Sequence, residues 1–182
     1  MAKLISKTYG EALFELSVEE SKTDLFMEEI GVLLQAFREN PEFYELMTHP
    51  QVAKEEKTAI MNEVLKGRVS EELNAFFRLI IEKDRYSEIY EILNYFLDRM
   101  KEFKGIGVAY VTTPMELTGE QKKEIEEKLL ATTKFNSMEM HYELKKSLIG
   151  GMVIRIGDRV VDSSISNQLS QLKKQLMNIQ LA

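Results

Sequence analysis

KKSLIGGMVIRIGDRVVDSSISNQLSQLKKQ, residues Lys145 to Gln175, holds a glycine pair, two short β-branched runs around Gly157-Asp158, and a capped amphipathic helix. Gly150-Gly151 opens a strand over Met152 to Ile156, and the turn at Gly157-Asp158 returns the chain through Arg159 to Val161, because glycine supplies the positive φ that tight hairpins need. Ser163 or Ser164 can accept a hydrogen bond from a free N–H of the following helix. Ile165, Leu169, Leu172, Leu176 and Ile179 then recur at alternating four- and three-residue steps, which makes one narrow apolar seam. Little in this stretch is left for catalysis. It reads as a scaffold.

Upstream, residues 1–104 show no convincing alternation, and their apolar residues recur with the helical period. Ile5, Tyr9, Ala12, Leu13 and Leu16 line one face of a first helix. Phe26, Ile30, Leu33, Leu34 and Phe37 mark a second, which starts near Thr23 or Asp24 and stops at Asn40-Pro41. Phe43, Leu46 and Met47 belong to a short third helix that ends at His49-Pro50, since the residue before proline is pushed out of the helical region. Ile60, Met61, Val64 and Leu65 give a fourth. Ser70 begins a fifth with Leu73, Phe76, Phe77, Ile80 and Ile81. Tyr86 to Phe103 hold the period longest and form the spine of a six-helix, all-α bundle.

The pattern changes at Gly105-Ile106-Gly107, where a domain boundary is expected, giving domains 1–104 and 105–182. Val108 to Val111 reads as a strand, and Thr118 with Gln121 forms a capping-box signature ahead of Ile125, Leu129 and Leu130. Met138, Met140, Tyr142 and Leu144 then alternate with Glu139, His141, Glu143 and Lys145, the signature of a strand with one buried face. The order of the second domain is β-α-β-β-β-α, and the chain as a whole is α+β.

Composition narrows the function. The 182 residues are 44% hydrophobic, enough for packed cores, and contain no cysteine, so neither disulfides nor thiolate metal sites are available. Glu11 and Glu15 interrupt the N-terminus before any signal core develops, and no apolar run approaches a spanning length. Residues 1–104 carry 14 basic and 21 acidic side chains, a net of −7, and residues 105–182 carry 10 and 9, a net of +1. His49 and His141 lie in different domains and outside any HxxxH pair, and the glycines match neither GxxxxGK[ST] nor GxGxxG. Catalytic, metal-binding and cofactor-binding residues are therefore expected to be absent. The acidic pairs Glu19-Glu20, Glu28-Glu29, Glu55-Glu56 and Glu71-Glu72 fall on polar helix sides and read as solvated faces.

The competing function is nucleic-acid binding by the second domain, where Lys145-Lys146, Arg155, Arg159 and Lys173-Lys174 cluster. A net charge of only +1 and a Gly-Gly that is not a GxxG clamp argue against it. A partner helix is the better fit for the first domain. Leu4, Phe14 and Val18 point away from the main face of the first helix, and Ala75 and Leu79 leave that of the fifth. Side by side they would form a groove for a helix. A bundle that buries both sides of an inner helix is the plain alternative.

At Gly150, Gly151, Val153, Ile154, Ile156, Gly157, Asp158, Val160, Val161, Asp162, Ser164, Ile165, Leu169, Leu172 and Leu176 the sequence resembles the delta subunit of F-type ATP synthases, whose mitochondrial counterpart is the oligomycin-sensitivity-conferring protein. Tyr9, Ala12, Leu13 and Phe14 resemble that family's N-terminal helix, and the family usually has glycine where Ser163 stands. The resemblance implies a non-catalytic stator subunit without cofactors. Its helical domain would bind the N-terminus of an alpha subunit through the first and fifth helices. Its C-terminal domain would hold b-type peripheral-stalk subunits, with Ile165, Leu169, Leu172 and Leu176 serving in domain packing or stalk attachment. It also implies a place on the cytoplasmic face of the membrane, reached only through the complex.

Overall fold

The first hundred residues form α1 (Ala2–Glu19), α2 (Thr23–Glu39), α3 (Pro41–Thr48), α4 (Lys54–Leu65), α5 (Glu71–Glu82), a 3₁₀ turn (Tyr86–Glu88) and α6 (Ile89–Phe103). The computed structural model describes the backbone of residues 2–179 and the side chains of residues 4–174. Two compact units divide the chain, Met1–Lys101 and Glu102–Ala182. The fold is α+β.

Five side chains of α2, Phe26, Ile30, Leu33, Leu34 and Phe37, enter the core of the first unit at the helical spacing read from the sequence. Leu73, Phe76, Phe77, Ile80 and Ile81 of α5 join them, with Ile89, Ile92, Leu93, Phe96 and Met100 of α6. Phe37 sits edge-on to Phe77 at 6.1 Å and to Tyr90 at 6.4 Å between ring centroids, the geometry favoured by aromatic quadrupoles. Ser70 stands just before α5, yet its hydroxyl donates to Glu29 Oε2 at 2.8 Å instead of capping the helix, and its N–H donates to Glu29 Oε1 at 3.0 Å. This ties α2 to the start of α5.

Helix α1 is turned relative to the sequence expectation. Its buried residues are Ser6, Gly10, Leu13, Phe14 and Ser17, while Ala12 is exposed and Ile5, Tyr9 and Leu16 are half-buried. The cause is Gly10: a Cβ there would collide with the Tyr95 ring and come within 3.2 Å of the Ile92 carbonyl oxygen, so α1 lies against α6 through its small residues. Phe14 is thereby drawn into the core at 8% exposure, with the Arg99 guanidinium 4.8 Å from its ring centroid.

The second unit contains β1 (Ile106–Thr113), α7 (Gly119–Thr132), β2 (Ser137–Leu144), a 3₁₀ turn (Lys146–Leu148), β3 (Val153–Ile156), β4 (Arg159–Asp162) and α8 (Ile165–Ile179). Strand order is β2-β1-β3-β4, with β1 and β2 parallel and the other pairs antiparallel. The parallel pair requires the α7 crossover, and the capping box starts that helix: Thr118 Oγ1 accepts from Gln121 N, and Thr118 N donates to Gln121 Oε1. Gly157 has φ +54° in the two-residue turn that pairs Ile156 with Arg159.

Alternation in β2 buries less than its pattern suggests. Met138 is buried and Met140 half-buried, but Tyr142 and Leu144 are exposed. As an edge strand β2 has one strand neighbour, and Tyr142 reaches only the flank of α7, where its hydroxyl donates to the Lys122 carbonyl at 3.4 Å and Lys122 Nζ lies 4.9 Å from its ring centroid.

Candidate functional site

Exposed apolar side chains gather on each of the two units. On the first unit Leu4, Val18 and Leu79 are exposed large hydrophobics, with Leu79 at 40%, and Ala75 is exposed beside it on α5. Phe14 is not among them. Its burial removes it from the expected α1 stripe and corrects the reading of that side chain as a surface contact. A turn of about 100° per residue put Phe14 off the apolar face only because the small residues Ser6, Gly10 and Ser17, which mark the real contact, carry no weight in a hydrophobic pattern.

Polar anchors fix this face. Lys22 Nζ donates to Glu72 Oε1, joining the α1–α2 turn to α5. That bond raises the Lys22 pKa and lowers that of Glu72. Glu11 accepts from Tyr95 OH at 2.9 Å and from Arg99 Nε at 3.2 Å. The Tyr95 hydrogen bond, followed by the Arg99 bond and charge, holds the Glu11 carboxyl below its ordinary range, although burial pulls the other way.

On the second unit the seam of α8 faces solvent. Leu169 and Leu172 are exposed, Leu169 at 54%, whereas Ile165 is partly exposed and packs against Gly150 within the domain. The Leu176 side chain, which completes the expected seam, lies outside the described residues. Ser164 is the cap, its Oγ accepting from Asn167 N at 3.2 Å, whereas Ser163 Oγ donates to the Met152 carbonyl at 2.9 Å. Asp162 Oδ1 accepts from Ser164 N at 2.9 Å, and hydrogen bonds from Ser164 hold its carboxyl below the usual range. Ile149, with φ +66°, is an exposed β-branched residue in a region of backbone space that such residues rarely adopt, and Gly150 next to it packs against the Ile165 side chain.

Both histidines make local contacts. His141 Nε2 lies 2.8 Å from Glu139 Oε1 and its ring stacks on Tyr110 at 4.9 Å, while His49 Nδ1 accepts from Gln51 N at 3.3 Å. Arg155, one of the clustered basic residues, lies over the other partner of that stack, 4.8 Å from the Tyr110 ring centroid. Among the described residues no group of three or more His, Cys, Asp or Glu could hold a metal ion, and no helix is long and apolar enough to cross a membrane.

The family model for the ATP synthase delta (OSCP) subunit matches residues 5–176. The chain belongs to the ATP synthase delta (OSCP) subunit family. It is 50% identical over 181 residues to ATP synthase subunit delta of Lachnoclostridium phytofermentans, covering 100% of both chains. It is 34% identical to the subunit delta of Natranaerobius thermophilus, over 95% of this chain and 96% of that one. Among solved structures, a chain of the Toxoplasma gondii mitochondrial ATP synthase hexamer aligns over 94% of this chain and 97% of its own with a TM-score of 0.78 at 16% identity, a likeness of fold. Membership in the delta family makes this chain an ATP synthase subunit.

One surface was missed from sequence. Leu25, Val32 and Ala36 of α2 line a cleft of about 580 Å³ together with Val64, Arg68 and Val69. The signal was present, because Leu25 and Val32 stand seven residues apart off the Phe26/Ile30/Phe37 face, the same criterion that singled out α1 and α5.

Proposed function

We propose that this chain is the non-catalytic stator link of the ATP synthase, joining the catalytic head to the peripheral stalk and resisting rotor torque during proton-driven synthesis. Residues 1–104 would bind the N-terminal helix of an alpha subunit, with Leu4, Val18, Ala75 and Leu79 as contacts and Phe14 as core support beneath them. Residues 105–182 would hold the b-type stalk, with Ile165, Leu169 and Leu172 as the contact seam. The complex would bring the chain to the cytoplasmic face of the membrane. The observation that carries this reading is the α8 seam, since Leu169 and Leu172 are more than half exposed and Ile165, at heptad-like spacing from them, is partly so, a stripe that favours a partner helix. A static link makes no bonds. It needs affinity at two places, and two compact units supply separate surfaces for that.

The test is a three-component pull-down with stripped catalytic heads and detergent-solubilised stalk. The full chain is expected to bring both down together, whereas either component without the chain should fail to capture the other. Capture of only one component at micromolar concentrations, or turnover of ATP by the chain alone, would overturn the reading.

A further inference from the structure

The cleft on α2 is a third surface, separate from the α1 and α5 contacts and from α8. Val32 is 64% exposed on its rim and Leu25 is exposed at one end. Lining residues on α2 run from Leu25 to Phe37, a rise of about 18 Å along the axis, a little over three helical turns. The walls are held in place before any partner arrives. Glu29, itself part of the lining, accepts both the N–H and the hydroxyl of Ser70, and at the far end Phe37 and Phe43 stack at 5.7 Å.

Charge selects the occupant. The charged side chains of the lining are Glu28, Glu29 and Arg68, a net of −1, within a stretch, residues 23–48, of six acidic side chains and one basic one, a net of −5. Glu28 lines the cleft with no hydrogen-bond or ion-pair partner among the described residues, and Arg68 is the basic residue in the lining. An apolar trough of this length with the unpaired Glu28 carboxylate on its wall suits a helix that carries an apolar ridge flanked by lysines or arginines. Because Val32 leaves the trough open, an extended partner fits it better than a small molecule, which a pocket usually encloses over most of its surface. We infer that this cleft docks a basic amphipathic helix of a partner protein, at a site independent of the head and stalk contacts proposed above.

The experiment uses the full chain with methyl-labelled Leu and Val. The probes are an 18-residue peptide with leucines at helical spacing flanked by lysines, and a twin with glutamates in place of the lysines. The lysine peptide is expected to shift the Leu25, Val32 and Val69 methyls first, and to weaken several-fold from about 50 to about 500 mM salt. Val32→Asn should reduce its affinity tenfold or more with the melting midpoint unchanged, and Leu25→Asn repeats that test at a second rim position. Glu28→Lys should weaken the lysine peptide and strengthen the glutamate twin. Equal binding of the twins, shifts centred on Leu4 and Leu79, or unchanged affinity in both Asn variants would overturn the inference. Self-association of the chain through Val32 would make a second copy the occupant and overturn it equally.

Discussion

In the first unit Phe26, Phe77 and Phe96 are fully buried, and α2, α5 and α6 turn their main apolar faces inward. In the second unit Leu144, Ile149, Val160, Val161, Ile165, Leu169 and Leu172 are exposed, and the apolar core is confined to a few residues such as Ala109, Val111, Ile125, Met138 and Leu148. The first unit therefore has a core of its own and offers partners a limited set of surface side chains. The second leaves an apolar seam exposed, the kind of patch that the proposed stalk attachment would cover. Attachment at the first unit should be separable from its stability by single substitutions, and at the second it should depend on the seam as a whole.

The largest effect is expected from Phe14→Ala. If Phe14 is core, as its burial beside Arg99 indicates, the variant should lose about 3–5 kcal/mol of the first unit's stability, read by denaturant unfolding. A loss under about 1 kcal/mol with weakened head binding would return Phe14 to the surface. Leu79→Glu is its counterpart. Its melting midpoint should stay near wild type because the side chain is already 40% exposed, while affinity for catalytic heads falls about a hundredfold, the cost of desolvating a carboxylate against an apolar helix. A variant that unfolds before any partner is added would show Leu79 to be core.

Gly10→Ala should cost about 1–3 kcal/mol, since the Tyr95 ring and the Ile92 carbonyl must move to admit a methyl group. Unchanged stability would mean that α1 and α6 are less closely packed than the geometry shows. The smallest effect concerns acid. The Glu11 pKa is depressed in the folded state, so its contribution is complete above the ordinary glutamate range and is lost as pH falls through the lowered value. Glu11→Gln should therefore flatten the acid side of the stability profile by about 1 kcal/mol or less. An unaltered acid limb would show that the Tyr95 and Arg99 bonds contribute nothing net.

Much of the fold was legible because it rests on side chains that periodicity counts. The five buried residues of α2, the Thr118–Gln121 capping box and the Gly157-Asp158 turn stand where their spacing placed them. The face of α1 was misread because a helix crossing built on Ser6, Gly10 and Ser17 is invisible to hydrophobicity, and Phe14 was lost from the surface with it. Burial along β2 was overestimated because alternation names a face without saying how much of it a helix covers. The exposure of Leu169 and Leu172 could not be read at all, because an amphipathic stripe has one pattern whether its cover lies in the same chain or in another.

The separation of the two attachments is tested most directly by titrating full-length Leu169→Asp/Leu172→Asp against catalytic heads and against solubilised stalk, beside the wild type. The expected result is an unchanged melting midpoint, unchanged head affinity and a hundredfold or greater loss of stalk affinity, because both side chains already stand in solvent and only a stalk partner would have to desolvate the new carboxylates. Loss of head affinity in a variant that melts normally, or stalk binding equal to wild type, would contradict it.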